Sequence, residues 1–189
     1  MTHEEVRSVI LDRLNLTPGA VLWDVGAGTG SVAVAAALDC PDAEVHAIEC
    51  APAALDLIER NRAKFRLHNL TVHAGRALSL MENLVVSAGK GLYPPTHVFI
   101  GGSGGELGDI LSWLANMNTP VRVLVSAVTL GTLSEATALL SCAPWENLEA
   151  VQIAVSVSRP LGRSLLMAAR NPVTLLCAEA HTNSREAGE

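Results

Sequence analysis

Trp23-Asp24-Val25-Gly26-Ala27-Gly28-Thr29-Gly30-Ser31 is the stretch that decides the fold. The apolar run AVLWDV at 20–25 leads into it, and a helical pattern near 30–38 follows. Glycines at 26, 28 and 30 let a backbone approach a ligand closely, and the N-terminus of the next helix offers free N–H groups to an anion. A tight strand-to-helix turn with no ligand is the alternative. A strand before and a helix after are, however, the context that a binding loop requires.

Outward from this loop, short apolar runs alternate with helical patterns. The runs are EVHAIE at 44–49, LTVHA at 70–74, THVFIG at 96–101 and VRVLVSAV at 121–128, with helical stretches near 53–65, 106–117 and 131–141. Runs without strict alternation, separated by helices, predict buried parallel strands in a doubly wound α/β sheet. Upstream, Thr2-His3-Glu4-Glu5 fits a capping box, and Val6, Val9, Ile10 and Leu14 recur at helical spacing, which predicts a leading helix within 2–16. Downstream, 148–158 and 164–178 are strand-like and are joined by Arg159-Pro160-Leu161-Gly162-Arg163. Five residues cannot hold a crossover helix, so the pair is expected as an antiparallel hairpin. Residues 84–95 read as a surface loop. The expected organisation is a single domain over 1–179 and a polar tail over 180–189.

Composition narrows the function. The chain has 189 residues, 49% hydrophobic and 17% charged, which suits one sizeable core and excludes general disorder. A net charge of −6 argues against nucleic-acid binding. A mean hydropathy of +0.32 raises the question of a membrane. The most apolar windows are interrupted by Asp24 and glycines, and by Arg122 and Ser126, so no membrane span is expected. The start lacks a signal-peptide layout. The apolar surplus is read instead as an oligomer interface. Cys40, Cys50, Cys142 and Cys177 form no CxxC pair and read as reduced, mostly buried residues of a cytoplasmic protein. The six histidines show no HxxxH spacing, and no metal site is expected.

The ligand follows from the loop's details. A nicotinamide fingerprint, GxGxxG, needs glycine at 31, where Ser31 stands. Asp24 would repel a pyrophosphate but attract the ammonium of a methionine moiety, directly or through water. Glu49 ends the second strand nineteen residues after Gly30, where a carboxylate can accept both ribose hydroxyls. The ligand is read as S-adenosylmethionine, with S-adenosylhomocysteine as product. An ordinary strand-end charge is the alternative for Glu49.

These residues resemble the class I methyltransferases, a Rossmann-like fold. More narrowly, the chain resembles the CbiT-type precorrin methyltransferases (decarboxylating), including the C-terminal half of the fused precorrin-6Y methylases of the CobL type. The match rests on Thr2-x-x-Glu5-Val6-Arg7, Asp24-Val-Gly-Ala-Gly-Thr-Gly30, Ile100-Gly-Gly-Ser-Gly-Gly-Glu-Leu107 and Arg170-Asn-Pro-Val-Thr174, in order over 2–178. The resemblance implies methylation at carbon 15 of a corrin precursor in cobalamin biosynthesis, with decarboxylation of the acetate at carbon 12. It maps cofactor contacts onto Thr2, the loop Gly26, Ala27, Gly28, Thr29 and Gly30, Glu49, and the backbone of Ala77. The chain departs from the family at Gly75-Arg76-Ala77, where the family usually reads Gly-Asp-Ala. The carboxylate expected near the adenine amino group is missing. Arg76 then lies over the adenine, reaches the substrate, or is simply solvated.

Amino-group methyltransferases often carry Asp/Asn-Pro-Pro-Tyr after the fourth strand. Gly101-Gly102-Ser103-Gly104-Gly105 stands there instead, which disfavours an amino acceptor on DNA or RNA. Gly101 joins the cofactor set, while Gly102, Ser103 and Glu106 are candidates for a bulky planar tetrapyrrole. A plain glycine turn with Ser103 as helix N-cap is an equal alternative. From Ala150 to Ala178 there are three arginines and no acid, and Arg159 and Arg163 are candidates for the substrate's carboxylates, with a solvated hairpin tip as the alternative. The run Arg60, Arg62, Lys64, Arg66 reads as a solvated helix face. No general base or nucleophile stands out, so catalytic residues are left unassigned. An electron-rich bridging carbon can attack a sulfonium methyl directly when it is held in place.

Other readings stay open: another small-molecule carbon or oxygen methyltransferase, an S-adenosylmethionine-binding support subunit, or, last, a nicotinamide-binding protein. The resemblance and the apolar surplus together favour a homotetramer. They are compatible with a stand-alone protein or with a domain whose neighbour methylates carbon 5.

Overall fold

The computed structural model describes residues 2–86, 94–117 and 119–181. Five strands, β1 (Val21–Val25), β2 (Glu44–Glu49), β3 (Leu70–Ala74), β4 (His97–Ile100) and β5 (Val121–Ala127), run parallel in the order β3-β2-β1-β4-β5. Helices α1 (Glu4–Leu14), α2 (Ser31–Asp39) and α3 (Pro52–Phe65) cover one face, and α4 (Ala77–Val86), α5 (Leu107–Ala115) and α6 (Leu130–Leu140) the other. All five residues of β1 are buried, as expected of a central strand covered on both faces. Val21, Trp23 and Val25 pack with α5 and α6, while Leu22 packs with α1 and α2. Trp23 stacks on Trp113 of α5 with ring centroids 6.0 Å apart.

The strand order reverses direction between β1 and β4, so a crevice opens beyond their carboxyl ends. Both glycine segments of the sequence, 26–30 and 101–105, leave the sheet there.

The C-terminal hairpin is present but divided. β6 (Trp145–Ile153) and β9 (Val173–Ala180) pair antiparallel, and β9 inserts beside β5 to complete a seven-stranded sheet. Between them, β7 (Ser156–Leu161) and β8 (Ser164–Ala169) form a separate two-stranded ribbon. Its connection is the two residues Gly162-Arg163 rather than five, because pairing runs through Arg159 to Leu161↔Ser164. Gly162 takes φ +61°, the left-handed conformation that such a tight turn needs. Pro172, which has no N–H to donate, precedes β9 where the ladder is interrupted.

Five other expectations are corrected. Thr2 does not cap α1: the N-cap is His3, without a side-chain hydrogen bond, and Glu5 instead pairs with Arg170 at 2.8 Å. Residues 84–86 are the last turn of α4 rather than loop, because Leu80 and Met81 pack that helix onto the sheet; 87–93 lie outside the described residues. Only Cys40 and Cys177 are buried; Cys50 and Cys142 are exposed, and all four are free. The basic run is solvated at Arg60, Lys64 and Arg66, but Arg62 is half-buried and bonds Glu59 at 2.8 Å. Strand β9 runs to Ala180, so the ordered sheet ends one residue past the expected boundary; the tail from 182 lies outside the described residues. No helix among the described residues is long and apolar enough to cross a membrane.

Candidate active site

The crevice is built by two backbone segments in contact. Gly26 leaves β1 at φ +67°, and a Cβ there would stand 2.1 Å from the carbonyl oxygen of Gly102. No side chain fits. The loop is tied to both neighbouring strands: Gly26 and Ala27 donate to the Ile48 carbonyl at 3.0 and 3.1 Å, and Gly101 donates to that of Val25 at 2.9 Å.

Two carboxylates serve this loop in different ways. Asp24 is buried beneath it, and its Oδ2 accepts from the N–H of Ala33 in the first turn of α2 at 2.9 Å. Gly30, the N-cap of α2, has no side chain to do this, so Asp24 caps the helix from the neighbouring strand. Its Oδ1 is buried with no hydrogen-bond partner. Burial, and then the nearby Glu49 charge, push its pKa up to about 7 against the pull of the Ala33 bond. Glu49, at the end of β2, keeps its charge. Partial burial raises its pKa, but N–H donors from Ala51, Gly28 and Cys50 outweigh that and hold it below the usual carboxylate range. Its Oε2 accepts from Gly28 at 2.7 Å, and its Oε1 from Cys50 and Ala51 at 2.8 and 2.9 Å. A carboxylate has about four acceptor positions, so one remains for a ligand hydroxyl.

The lining of the cleft brings together Gly26, Glu49, Arg76, Ala77, Gly102, Ser103 and Glu106 from the sequence reading. Ile48, Cys50, Gly75 and Gly104 also line it; each is adjacent in sequence to a residue singled out, and the pairing of β2 with β3 joins the first three. Arg76 and Glu106 meet on its rim at 2.7 Å, although they lie thirty residues apart. Thr2, Asp24, Ala27, Gly28, Thr29, Gly30 and Gly101 are not in the lining: Ala27 and Gly28 bond to β2, Gly30 bonds to Ala27, and Asp24 is buried. Arg159 and Arg163 are exposed on the ribbon and do not line the cleft, while Arg170 is taken by Glu5. Ser103 does not cap α5. Glu106 holds the N-cap position, and Ser103 contributes only its carbonyl, accepting from the Glu106 N–H at 3.1 Å. Among the described residues, no group of three or more His, Cys, Asp or Glu side chains is placed to hold a metal ion.

The residues fit a nucleoside carrying an ammonium group. They provide a cradle that a Cβ would fill, a charged carboxylate with spare acceptor capacity, and an orphaned buried carboxylate oxygen beneath the loop.

A family model described as a precorrin methyltransferase domain matches residues 1–180. The chain is 34% identical to the cobalt-precorrin-6B C(15)-methyltransferase (decarboxylating) of Salmonella typhimurium, over 97% of this chain and 91% of that one. In structure it is similar to a precorrin-6Y C5,15-methyltransferase of Geobacter metallireducens, with a TM-score of 0.84 and 31% identity over 94% of this chain and 89% of the other. It is also similar to the C-terminal domain of the precorrin-6Y C5,15-methyltransferase of Rhodobacter capsulatus, with a TM-score of 0.78 and 26% identity over 95% and 90% of the two chains.

Proposed function

The chain belongs to the precorrin methyltransferase family, and from that premise we propose how its cleft works. It is an S-adenosylmethionine-dependent C15-methyltransferase, decarboxylating, of cobalamin biosynthesis. The single observation that carries the reading of the site is the contact of Gly26 with Gly102, which joins the glycine loop and the GGSGGEL segment in one cleft. A bound S-adenosylmethionine supplies an electrophilic methyl group. Glu49 accepts from a ribose hydroxyl through its one spare acceptor position. Asp24 acts on the site from beneath, holding the first turn of α2, and with it the glycine loop, through its bond from Ala33. The backbone of Ala77, which lines the cleft, is assigned to the adenine, and Thr2, Ala27, Thr29, Gly30 and Gly101 are assigned to the cofactor by the family resemblance alone.

On the acceptor side, Gly102 and Ser103 leave open space beside the loop, since nothing lies within 4 Å of a Cβ built on Gly102. We assign that opening to the planar tetrapyrrole. With no general base in the lining other than carboxylates, catalysis rests on orientation: the macrocycle's own carbon attacks, and the decarboxylation at the carbon 12 acetate uses the macrocycle as electron sink. Arg159 and Arg163 are assigned to peripheral carboxylates of the acceptor.

The exposed Leu161, Leu165, Leu166 and Met167 of the ribbon support a homo-oligomer, read as a tetramer. Four free thiols support a cytoplasmic setting. A protein or domain that methylates carbon 5 is the natural neighbour.

Mass spectrometry of the purified chain with S-adenosylmethionine and a precorrin already methylated at carbon 5 tests the reading. A product that gains one methyl and loses carbon dioxide is expected. Methylation without that loss moves decarboxylation to a partner, and no turnover with S-adenosylhomocysteine still bound removes the acceptor assignment.

A further inference from the structure

Arg76 and Glu106 form a donor–acceptor couple on the rim of the cleft. Arg76 follows Gly75 after β3, and Glu106 is the N-cap of α5. The Arg76 Nε and Nη2 atoms donate to Oε1 of Glu106 at 3.1 and 2.7 Å. Both bonds end on one oxygen, so the pair itself uses neither Oε2 of Glu106 nor Nη1 of Arg76. The other carboxylate of the lining, Glu49, is engaged by three backbone N–H groups.

A purine shows its chemistry along one edge. Adenine presents a donor, the 6-amino group, next to an acceptor, the ring N1. A 6-oxo purine reverses that order. Carboxylate oxygen beside guanidinium N–H is complementary to the first arrangement and opposed to the second. Arg76 alone is a donor and cannot accept from an amino group; what the pair adds is the acceptor.

We infer that Glu106, anchored by Arg76, reads the amino edge of the cofactor's adenine: Oε2 accepts from the 6-amino group and Arg76 donates to N1. The inference rests on the S-adenosylmethionine reading of the cleft, and it moves Glu106 from the acceptor side to the cofactor side. Arg76, 67% exposed, both anchors Glu106 and donates to N1, and Glu106, 21% exposed, supplies the acceptor. A hydrogen bond to a charged group discriminates by about 10- to 100-fold in affinity, and partial exposure places the expected preference at the lower end.

Calorimetric titration of the full chain with S-adenosylhomocysteine and S-inosylhomocysteine tests it. The native chain is expected to prefer the adenosyl compound by about tenfold. Glu106→Gln is expected to bring the two affinities to within about threefold. Arg76→Ala, a change at an exposed side chain that leaves the fold intact, is expected to reduce the preference as well because Glu106 loses its anchor. A residue that only braced the cleft would weaken both compounds by the same factor. A preference that survives both substitutions, or none in the native chain, overturns the inference and leaves the cofactor reading standing. Failure of both compounds to bind the native chain overturns the cofactor reading, and this inference with it.

Discussion

The glycine loop and the β7–β8 ribbon both leave the carboxyl edge of the sheet, and they solve the problem of a protruding segment in opposite ways. In the loop, Gly26, Ala27 and Gly28 each donate to a carbonyl or carboxylate of β2, Gly30 donates to Ala27 within the loop, and the backbones of Gly26 and Gly102 are in contact. The ribbon satisfies its backbone by pairing β7 with β8, but Leu161, Leu165 and Met167 remain 61%, 68% and 63% exposed. The loop is finished within one chain, so changes to it should damage binding and stability together. The ribbon is finished only as a ladder, so changes to its apolar side chains should leave the fold alone.

The largest effect should come from Gly26→Ala. The added methyl would stand 2.1 Å from the Gly102 carbonyl oxygen on a backbone already at φ +67°, so the two glycine segments must separate. Titration with S-adenosylhomocysteine should show no measurable binding, and melting should show a loss of about 3 kcal/mol or more. Native-like affinity in this variant would break the comparison at its stronger side.

Glu49→Gln comes next. It weakens the loop's bonds to Gly28, Cys50 and Ala51 and removes the ribose acceptor, and a loss of about 10- to 100-fold in S-adenosylhomocysteine affinity is expected.

A third prediction concerns pH and separates the two carboxylates and a histidine pair. His46 Nδ1 lies 2.9 Å from His73 Nε2, and burial, joined at His73 by the His46 charge, lowers both pKa values, to about 4 for His73. The unfolded chain takes up these protons near 6.5, before the folded one does, so stability should fall as pH drops from 6.5 towards 4. Asp24 has the opposite sign. Its folded pKa is raised from 3.8 to about 7, so its contribution is full below 3.8 and lost as pH rises through 7. Chemical denaturation across this range should therefore show His73→Gln flattening the acid limb. Asp24→Asn should gain on the native chain as pH rises.

The smallest effect on stability belongs to the ribbon. Leu165→Ser should change the unfolding free energy by less than about 0.5 kcal/mol, since the side chain is already in solvent. Sedimentation velocity should nevertheless show a smaller species than the native assembly. An unchanged sedimentation coefficient would remove the ribbon from the oligomer interface.

The sequence by itself determined the order of elements and the position of the glycine loop. Strands 44–49 and 70–74 were readable to the residue, because buried parallel strands are short β-branched runs between helices. Glu49 was readable too, since strand ends in such a sheet fall at predictable spacing. Tertiary structure alone decided the rest, and the reason in each case is that the partner is distant in sequence. Thr2 looks like a cap because the capping-box pattern is local; Glu5 is instead drawn to Arg170, 165 residues away. Asp24 reads as a ligand at the mouth of the site, but β1 lies beneath α2, and the side chain turns inward to Ala33. Arg76 and Glu106 carry no joint signal in the chain; β3 and β4 are separated by two strands in the sheet, and only the meeting of the segments that follow them, where α4 packs beside α5, brings the side chains to 2.7 Å. The hairpin divides at Val155 and Arg170 because β9 is held between β5 and β6, and the strand pair beyond that sheet has no third strand to join. Local pattern thus settles which residues form helix, strand and loop. Contacts between segments far apart in sequence settle which polar atoms remain for a ligand.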